Sequence, residues 1–331
     1  MKKATALCML TLLLFGTRNV LHGQDFAPVG IAVAQFLEIG VGARAAGLGE
    51  AYTTITDDAG SVFWNPAGLA DNAGISLYTA YNLWPADISV GGVSFSMNLG
   101  RSGVFALSSV FLMTDDMEVT SISHPNGTGE FFNISNTSFG LSYARYLTDR
   151  VSVGVTGKLV RENYWEYGYS TWAVDIGTLY RTSFHGLKLG MSILHFGPEV
   201  RFSGDYIDYS DPLSYAVDSS KTFETYSLPI NFRIGTSFHI LNTGNHLLTV
   251  AADMVHPNNN LEQYNLGVEY SFGSNYFLRG GYKLVTDEGG LCFGMGAVIH
   301  PVGSMGIKID YAFSNLGILT NSHQFTLVLS L

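Results

Sequence analysis

From Ile75 to the C-terminus the chain repeats one unit, a run of about ten residues with every second side chain apolar, ended by Gly, Asn, Asp, Ser or Pro. Ile230, Phe232, Ile234, Thr236, Phe238 and Ile240 alternate with Asn231, Arg233, Gly235, Ser237 and His239. A period of two is the signature of a strand with one face in an apolar medium. Fourteen such strands are read at 75–83, 88–98, 103–112, 137–147, 151–160, 171–181, 187–196, 228–240, 246–254, 262–272, 276–284, 290–299, 305–313 and 323–331. Their even number is what single-chain bacterial barrels require.

The gaps between strands point the same way. Those at 148–150, 183–186, 241–245 and 273–275 are short and follow even strands, whereas the two longest, 113–136 and 197–227, follow odd ones. A barrel with both ends in the periplasm has this alternation of short turns and long external loops, and a soluble sandwich does not. Only 13% of residues are charged, about half the usual soluble fraction, so water on every side is not expected. Hydrocarbon offers no hydrogen-bond partners, which leaves a closed ladder as the way for strands to cross it. The resulting fold class is all-β, a 14-stranded antiparallel transmembrane barrel in the outer membrane, with lipid around it. Trp84, Tyr164, Trp165, Tyr167, Tyr169 and Trp172 fall at strand ends and are expected in the aromatic belt at headgroup level.

Three segments precede or compose the barrel. Lys2 and Lys3 before the apolar run Ala4–Phe15 read as a secretory signal peptide over residues 1–23, too short to span a bilayer as a helix. Cys8 lies inside that run rather than after it, against a lipoprotein, and Cys292 is then an ordinary strand residue. Residues 24–72 form an N-terminal plug segment, in which the stretch from Gly40 to Asn72 lacks alternation and is rich in Ala and Gly, so short helices and turns folded into the barrel mouth are expected, with small residues for close packing. Residues 73–331 form the barrel.

The net charge of −10 excludes a nucleic-acid stripe. Gly40-Val41-Gly42 with Ala45 lacks the βαβ unit of a dinucleotide site, and no phosphate loop, nucleophile elbow or zinc-protease motif occurs. The histidines of the mature chain show no metal-ligand spacing, and Asp205, Asp208, Asp211 and Asp218 lack the density of a calcium loop. Neither a cofactor, a metal nor a catalytic role is expected. The charges placed inward by the alternation are Lys158, Asp175, Arg233, Asp253, Glu269, Arg279, Lys283, Lys308 and Asp310. Adjacent strands bring Arg233 near Asp253 and Glu269 near Arg279, and mixed signs favour a satisfied internal network over a polar route.

The run from Gly42 through Arg44, Gly47 and Gly49 to Tyr52, then Asp57-Asp58-Ala59 and Trp64-Asn65-Pro66-Ala67-Gly68-Leu69-Ala70, resembles the N-terminal signature of the PorV/PorQ family, the block at Asn65 being PorV-like. Gly267-Val268-Glu269-Tyr270, Leu278-Arg279-Gly280-Gly281-Tyr282 and Ile309-Asp310-Tyr311 are similar to that family near the other end. The resemblance implies a barrel related to FadL-type fatty-acid transporters and a place in type IX secretion. Members there bind exported proteins by a C-terminal secretion signal and pass them to other components of the system. It also leaves a second function open, a FadL-like transporter of hydrophobic small molecules.

Overall fold

The computed structural model describes residues 29–331 apart from Thr56, Ile122, 208–219, 286–288 and 302–304. The signal-peptide segment with Cys8, and Asp208, Asp211 and Asp218, lie outside the described residues. The barrel strands are β1 (Ile75–Trp84), β2 (Ile88–Asn98), β3 (Val104–Met113), β4 (Ser135–Thr148), β5 (Val151–Tyr164), β6 (Tyr167–Arg181) and β7 (Lys188–Phe196). The second half comprises β8 (Asn231–Thr243), β9 (His246–Pro257), β10 (Gln263–Phe272), β11 (Tyr276–Leu284), β12 (Leu291–Ile299), β13 (Gly306–Asn315) and β14 (Asn321–Ser330). Each pairs antiparallel with its neighbours, and β14 closes the sheet on β1 from Ser330↔Ser76 to His323↔Leu83.

The alternation read in the sequence is the alternation of the wall. Along β5, Ser152, Thr156, Lys158, Val160 and Glu162 turn inward and are buried, while Val155 and Leu159 point out, the latter 68% exposed. One such residue is ordinary, but Leu107, Phe139, Leu141, Leu159 and Ile176 face outward from consecutive strands, and an apolar band of that extent is suited to hydrocarbon rather than water. The strands begin and end within four residues of the expected limits. The eighth starts later, because Leu228 folds inward to full burial instead of extending the ladder.

Ile75 and Leu331 exchange backbone hydrogen bonds of 3.2 and 2.9 Å, so the sheet begins and ends at one rim, the periplasmic one by the habit of such barrels. The opposite, extracellular rim carries the connections 114–134 and 197–230. Each holds a small hairpin, Met117–Glu118 with Phe131–Phe132 and Asp205–Ile207 with Ser220–Thr222.

The N-terminal segment reaches further than the mouth, where the sequence put it. It starts beside the extracellular rim, where Val33 N–H donates to Ser227 O at 3.0 Å, descends the whole lumen, and leaves at Asn72 beside Ser96 near the periplasmic rim. On the way it forms a 3₁₀ turn at Gln35–Glu38, one helix α1 (Ala43–Gly47), and 3₁₀ turns at Ala59–Phe63 and Pro66–Asp71. Small residues on both sides permit the full descent: a Cβ on Gly47 would stand 2.9 Å from the Gly294 Cα of the wall, and Gly281 meets Gly49 backbone to backbone.

Candidate functional site

Two faces of this plug are fastened to the wall by different chemistry. On the α1 face, the Arg44 guanidinium donates to both Glu269 oxygens at 2.8 Å and also pairs with Asp57. Glu269 in turn accepts from Arg279 Nε at 2.7 Å, whose Nη1 reaches Asp310 Oδ1 at 2.6 Å. Lys308 Nζ stands 3.6 Å from Asp58 and 3.8 Å from Asp310. Glu269↔Arg279 is a register pair of β10 and β11, so the alternation alone forces these side chains into one lumen. Burial works against each charge, and the fork-to-fork bonding of Arg44 and Glu269 with the further bonds from Arg279 offsets that cost, although Arg279 Nη2 has no hydrogen-bond partner among the described residues. The Asp57 side chain is 57% exposed, so the desolvation that raises its pKa is outweighed by Arg44 and Lys308, which hold the carboxyl well below the usual aspartate range. Asp58 ends higher than usual, because burial and Asp57 outweigh Lys308 and the hydrogen bond from Gly60 N–H. Gly42, with φ of 109°, precedes α1 and lies against the Tyr78 hydroxyl.

On the Asn65 face the fully buried bonds are neutral, and one ion pair, Arg181 to Asp71 at 2.6 Å, stands at the periplasmic end of the turn. Asn65 caps the Pro66–Asp71 turn by accepting from Ala67 N–H at 3.1 Å, and donates its amide to Thr53 O at 2.9 Å and Thr178 O at 3.1 Å. Pro66 sits at the first position of that turn, where its missing N–H costs nothing, against Gly154 and Gly177 of the wall. Ser152 and Ser192 donate to Ala67 O and Trp64 O, both at 3.0 Å.

Between these faces, Asp253 accepts from the Tyr52 and Thr53 amides at 2.9 and 2.8 Å and from the Thr53 hydroxyl at 2.6 Å. Arg233 is 3.7 Å from Asp253, donates to Glu50 O at 2.7 Å and lies 4.9 Å over the Trp64 ring. Lys283 pairs with Glu50 at 2.6 Å. Lys158 and Asp175 pair at 2.6 Å on the opposite wall, where the β6–β7 register slips between Val174 and Ile176 and His195 takes a left-handed φ of 62°. The inward charges named from the sequence thus fall into four groups: the α1 network, the Arg233–Asp253 pair, the Lys158–Asp175 pair, and Lys283 with the plug's Glu50.

Three expectations are corrected or extended. Tyr164 and Tyr169 leave the aromatic belt and point inward, both donating to Glu162, at 3.2 and 2.6 Å; Trp84 lines the extracellular vestibule. A carboxylate buried in the lumen draws the hydroxyls in more strongly than the headgroup layer holds them. Glu162 itself, 1% exposed, was passed over because a glutamate near a strand end reads as solvated. His195 is likewise hidden from the sequence, since regular alternation marks it outward with Leu189, Met191 and Ile193, and the register slip turns it inward.

Two compartments adjoin the plug. The vestibule, open to the outside, is lined by Phe36, Ile39, Trp84, Ile88, Leu112 and Ile134 among others. The second lies beneath Glu38–Gly40 and is lined by Val41, Phe63, Trp64, Lys158, His195 and Arg233. Among the described residues no His, Cys, Asp or Glu cluster is arranged to hold a metal ion.

Residues 24–256 match the family described as Type IX secretion system protein PorV. The chain belongs to the PorV family. As a PorV-family barrel it is a protein of the outer membrane. Among solved structures it is similar to a Pseudomonas aeruginosa FadL homologue, at 11% identity over 87% of this chain and 97% of that one, with a TM-score of 0.58. It also resembles the Ralstonia pickettii toluene transporter TbuX, at 13% identity over 88% and 97% of the two chains and a TM-score of 0.56. A deletion mutant of the TodX monoaromatic hydrocarbon channel gives 10% identity over 88% and 98%, also with a TM-score of 0.56. At these identities the likeness is one of fold. A search of curated proteins found no match.

Proposed function

We propose that this PorV-family protein is a binding and shuttle component of type IX secretion, exported with removal of residues 1–23, in which the barrel is a carrier and its extracellular face receives cargo. The observation that supports this most is the double fastening of the plug. A lumen crossed from rim to rim by a segment held through Glu269, Asp253 and Thr178 is poorly suited to pass a polypeptide, whereas the same rigidity suits a platform. In this reading the plug residues Gly42, Arg44, Gly47, Gly49, Asp57, Asp58, Asn65 and Pro66, with the wall charges they meet, keep the platform closed, and no catalytic step is assigned to any of them.

The contact surfaces are then the two long external connections. Exported proteins bearing a C-terminal secretion signal are the proposed cargo, and further components of the secretion system the proposed recipients. Deleting residues 201–225 tests this: the barrel should remain heat-modifiable on gels while cargo no longer co-purifies. Undiminished co-purification would sink the proposal.

A second reading, transport of hydrophobic small molecules, is favoured by one feature. The compartment beneath Glu38–Gly40 abuts the wall where the β6–β7 register slips, on the strand pair that Asn65 touches. Lipid or hydrocarbon retained by the purified protein, and lost on filling the compartment by Val110→Trp, would support it.

A further inference from the structure

Residues 29–38 cross the extracellular end of the lumen as a strap. Ala32 bridges Ser227 in parallel, Val33 N–H donates to Ser227 O at 3.0 Å, and Asn259 Nδ2 donates to Glu38 Oε2 at 3.0 Å. Ala34, in a left-handed conformation with φ of 56°, turns its N–H onto Glu162 Oε2 at 3.0 Å. Beneath the strap, Phe36 packs in one buried cluster with Leu112, Val160 and the fully buried Leu228. The returning end of the connection between β7 and β8 is therefore held from inside the barrel. Val200 and Tyr226 tie the outgoing end to it through paired backbone hydrogen bonds of 2.8 Å.

Glu162 is where these parts meet. Besides Ala34 N–H it accepts from Asn136 Nδ2 on the neighbouring strand at 3.1 Å, and from the Tyr164 and Tyr169 hydroxyls at 3.2 and 2.6 Å. The two tyrosine rings are edge-on to Phe202, at 5.8 and 5.1 Å between centroids, and Phe202 lies 5.7 Å from Phe223. Phe202 and Phe223 belong to the outgoing and returning arms of the β7–β8 connection. One buried carboxylate thus joins the strap, the wall and, through two aromatic side chains, both arms of the longest external segment. A charged acceptor with four donors is a stronger joint than the same number of neutral bonds, and it fixes both tyrosine rotamers.

We infer that Glu162 is a positioning residue for the extracellular surface of this protein, clasping an N-terminal strap that enters the lumen from outside and holds the β7–β8 connection in shape. The strap and clasp stand on geometry alone; that the surface they shape receives cargo rests on the function proposed above. The strap also carries a topological consequence. Residue 29 stands at the cell surface, on the far side of the membrane from Gly74, so the plug is threaded from outside to inside.

The test uses the full-length protein in outer membranes. A spin label at Arg201→Cys, with the native Cys292 buried, reports the mobility of the outgoing arm. Glu162→Leu and, separately, deletion of residues 29–34 should each free that label while leaving the barrel heat-modifiable. Glu162→Gln, which keeps the shape and one acceptor oxygen, should fall between. A label unmoved in both Glu162→Leu and the strap deletion would overturn the inference, and should Glu162→Leu fail to fold, the deletion decides alone. In intact cells, Gly30→Cys should react with a membrane-impermeant maleimide while Gly244→Cys at a periplasmic turn does not; protection of Gly30→Cys until the cells are permeabilised would overturn the topology. If the arm loosens but cargo still co-purifies, the clasp stands and the proposed cargo surface fails.

Discussion

The two faces of the plug meet the same barrel at similar depth and are bonded in opposite ways. The α1 face is ionic, a chain running from the exposed Asp57 through the buried Arg44, Glu269, Arg279 and Asp310, whereas the buried bonds of the Asn65 face are one amide, two serine hydroxyls and backbone carbonyls, with a single ion pair, Asp71 to Arg181, at its periplasmic end. Neutral bonds tolerate loss singly, because each exchanges a modest net free energy with water. A chain of buried charges does not, since deleting one member leaves its neighbours charged, buried and unpaired. The ionic face therefore fixes which arrangement of plug and wall is allowed, and the neutral face adds stability to the arrangement chosen.

That contrast is broken or sharpened most directly at Arg279, which has partners on both sides. Arg279→Leu leaves the buried Asp310 with only Lys308 at 3.8 Å and Glu269 with Arg44 alone, and a loss of about 3–5 kcal/mol is expected, as for other broken buried pairs. Urea unfolding in detergent micelles measures it. If Arg279→Leu costs no more than Asn65→Ala, the division into two faces is mistaken. The double change Arg279→Leu, Asp310→Leu should recover part of the loss, because it removes a buried charge together with its partner and leaves Glu269 paired with Arg44; no recovery would mean that the chain acts by packing alone.

Gly47→Val comes next. Its side chain would overlap the Gly294 backbone, and about 1–3 kcal/mol is expected from overpacking. The same assay should show Gly280→Ala, with open space around it, close to the wild type. Asn65→Ala follows at about 1–2 kcal/mol, through loss of the cap and two donations. A cost there above that of Gly47→Val would reverse the ranking of the faces.

How much of this the sequence disclosed depends on how local the cause is. The wall was legible because a period of two is written into every strand, and the same period placed Lys158, Arg233, Glu269, Arg279 and Asp310 in the lumen without any knowledge of their partners. Register then made Glu269 and Arg279 neighbours. What stayed hidden depends on contacts distant in sequence. Glu162 and the plug's Ala34 are 128 positions apart, and no local pattern marks the pair. Tyr164 and Tyr169 looked like belt residues because strand ends are where belts lie, and only Glu162 turns them inward. The plug motif around Asn65 was visible as a motif, but its depth in the lumen follows from wall glycines at 154, 177, 281 and 294, which read individually as ordinary strand positions.

The smallest effect concerns acid and separates the strap from the ionic face. Burial raises the Glu38 pKa, the hydrogen bond from Asn259 offsets part of that, and the charge of Glu50 adds to it, so the folded value ends above the ordinary 4.5. The folded chain then holds this proton over a pH window in which the unfolded chain has released it. Stability must fall as pH rises from about 4.5 through the folded value and level off beyond it. Asp57 carries the opposite sign: Arg44 holds its folded pKa below the ordinary 3.8, so its contribution is present above that value and is lost on acidification. Glu38→Gln keeps an oxygen for Asn259 and has no proton to exchange. Across mildly acidic pH the variant should fall less steeply than the wild type, because Glu38's share of the slope is gone while that of Asp58 remains, with the two curves converging at the acid end, where Glu38 is protonated in both states. Unfolding titrations at closely spaced pH values measure the difference, and parallel curves for the two proteins would show that Glu38 ionises alike in the folded and unfolded chain.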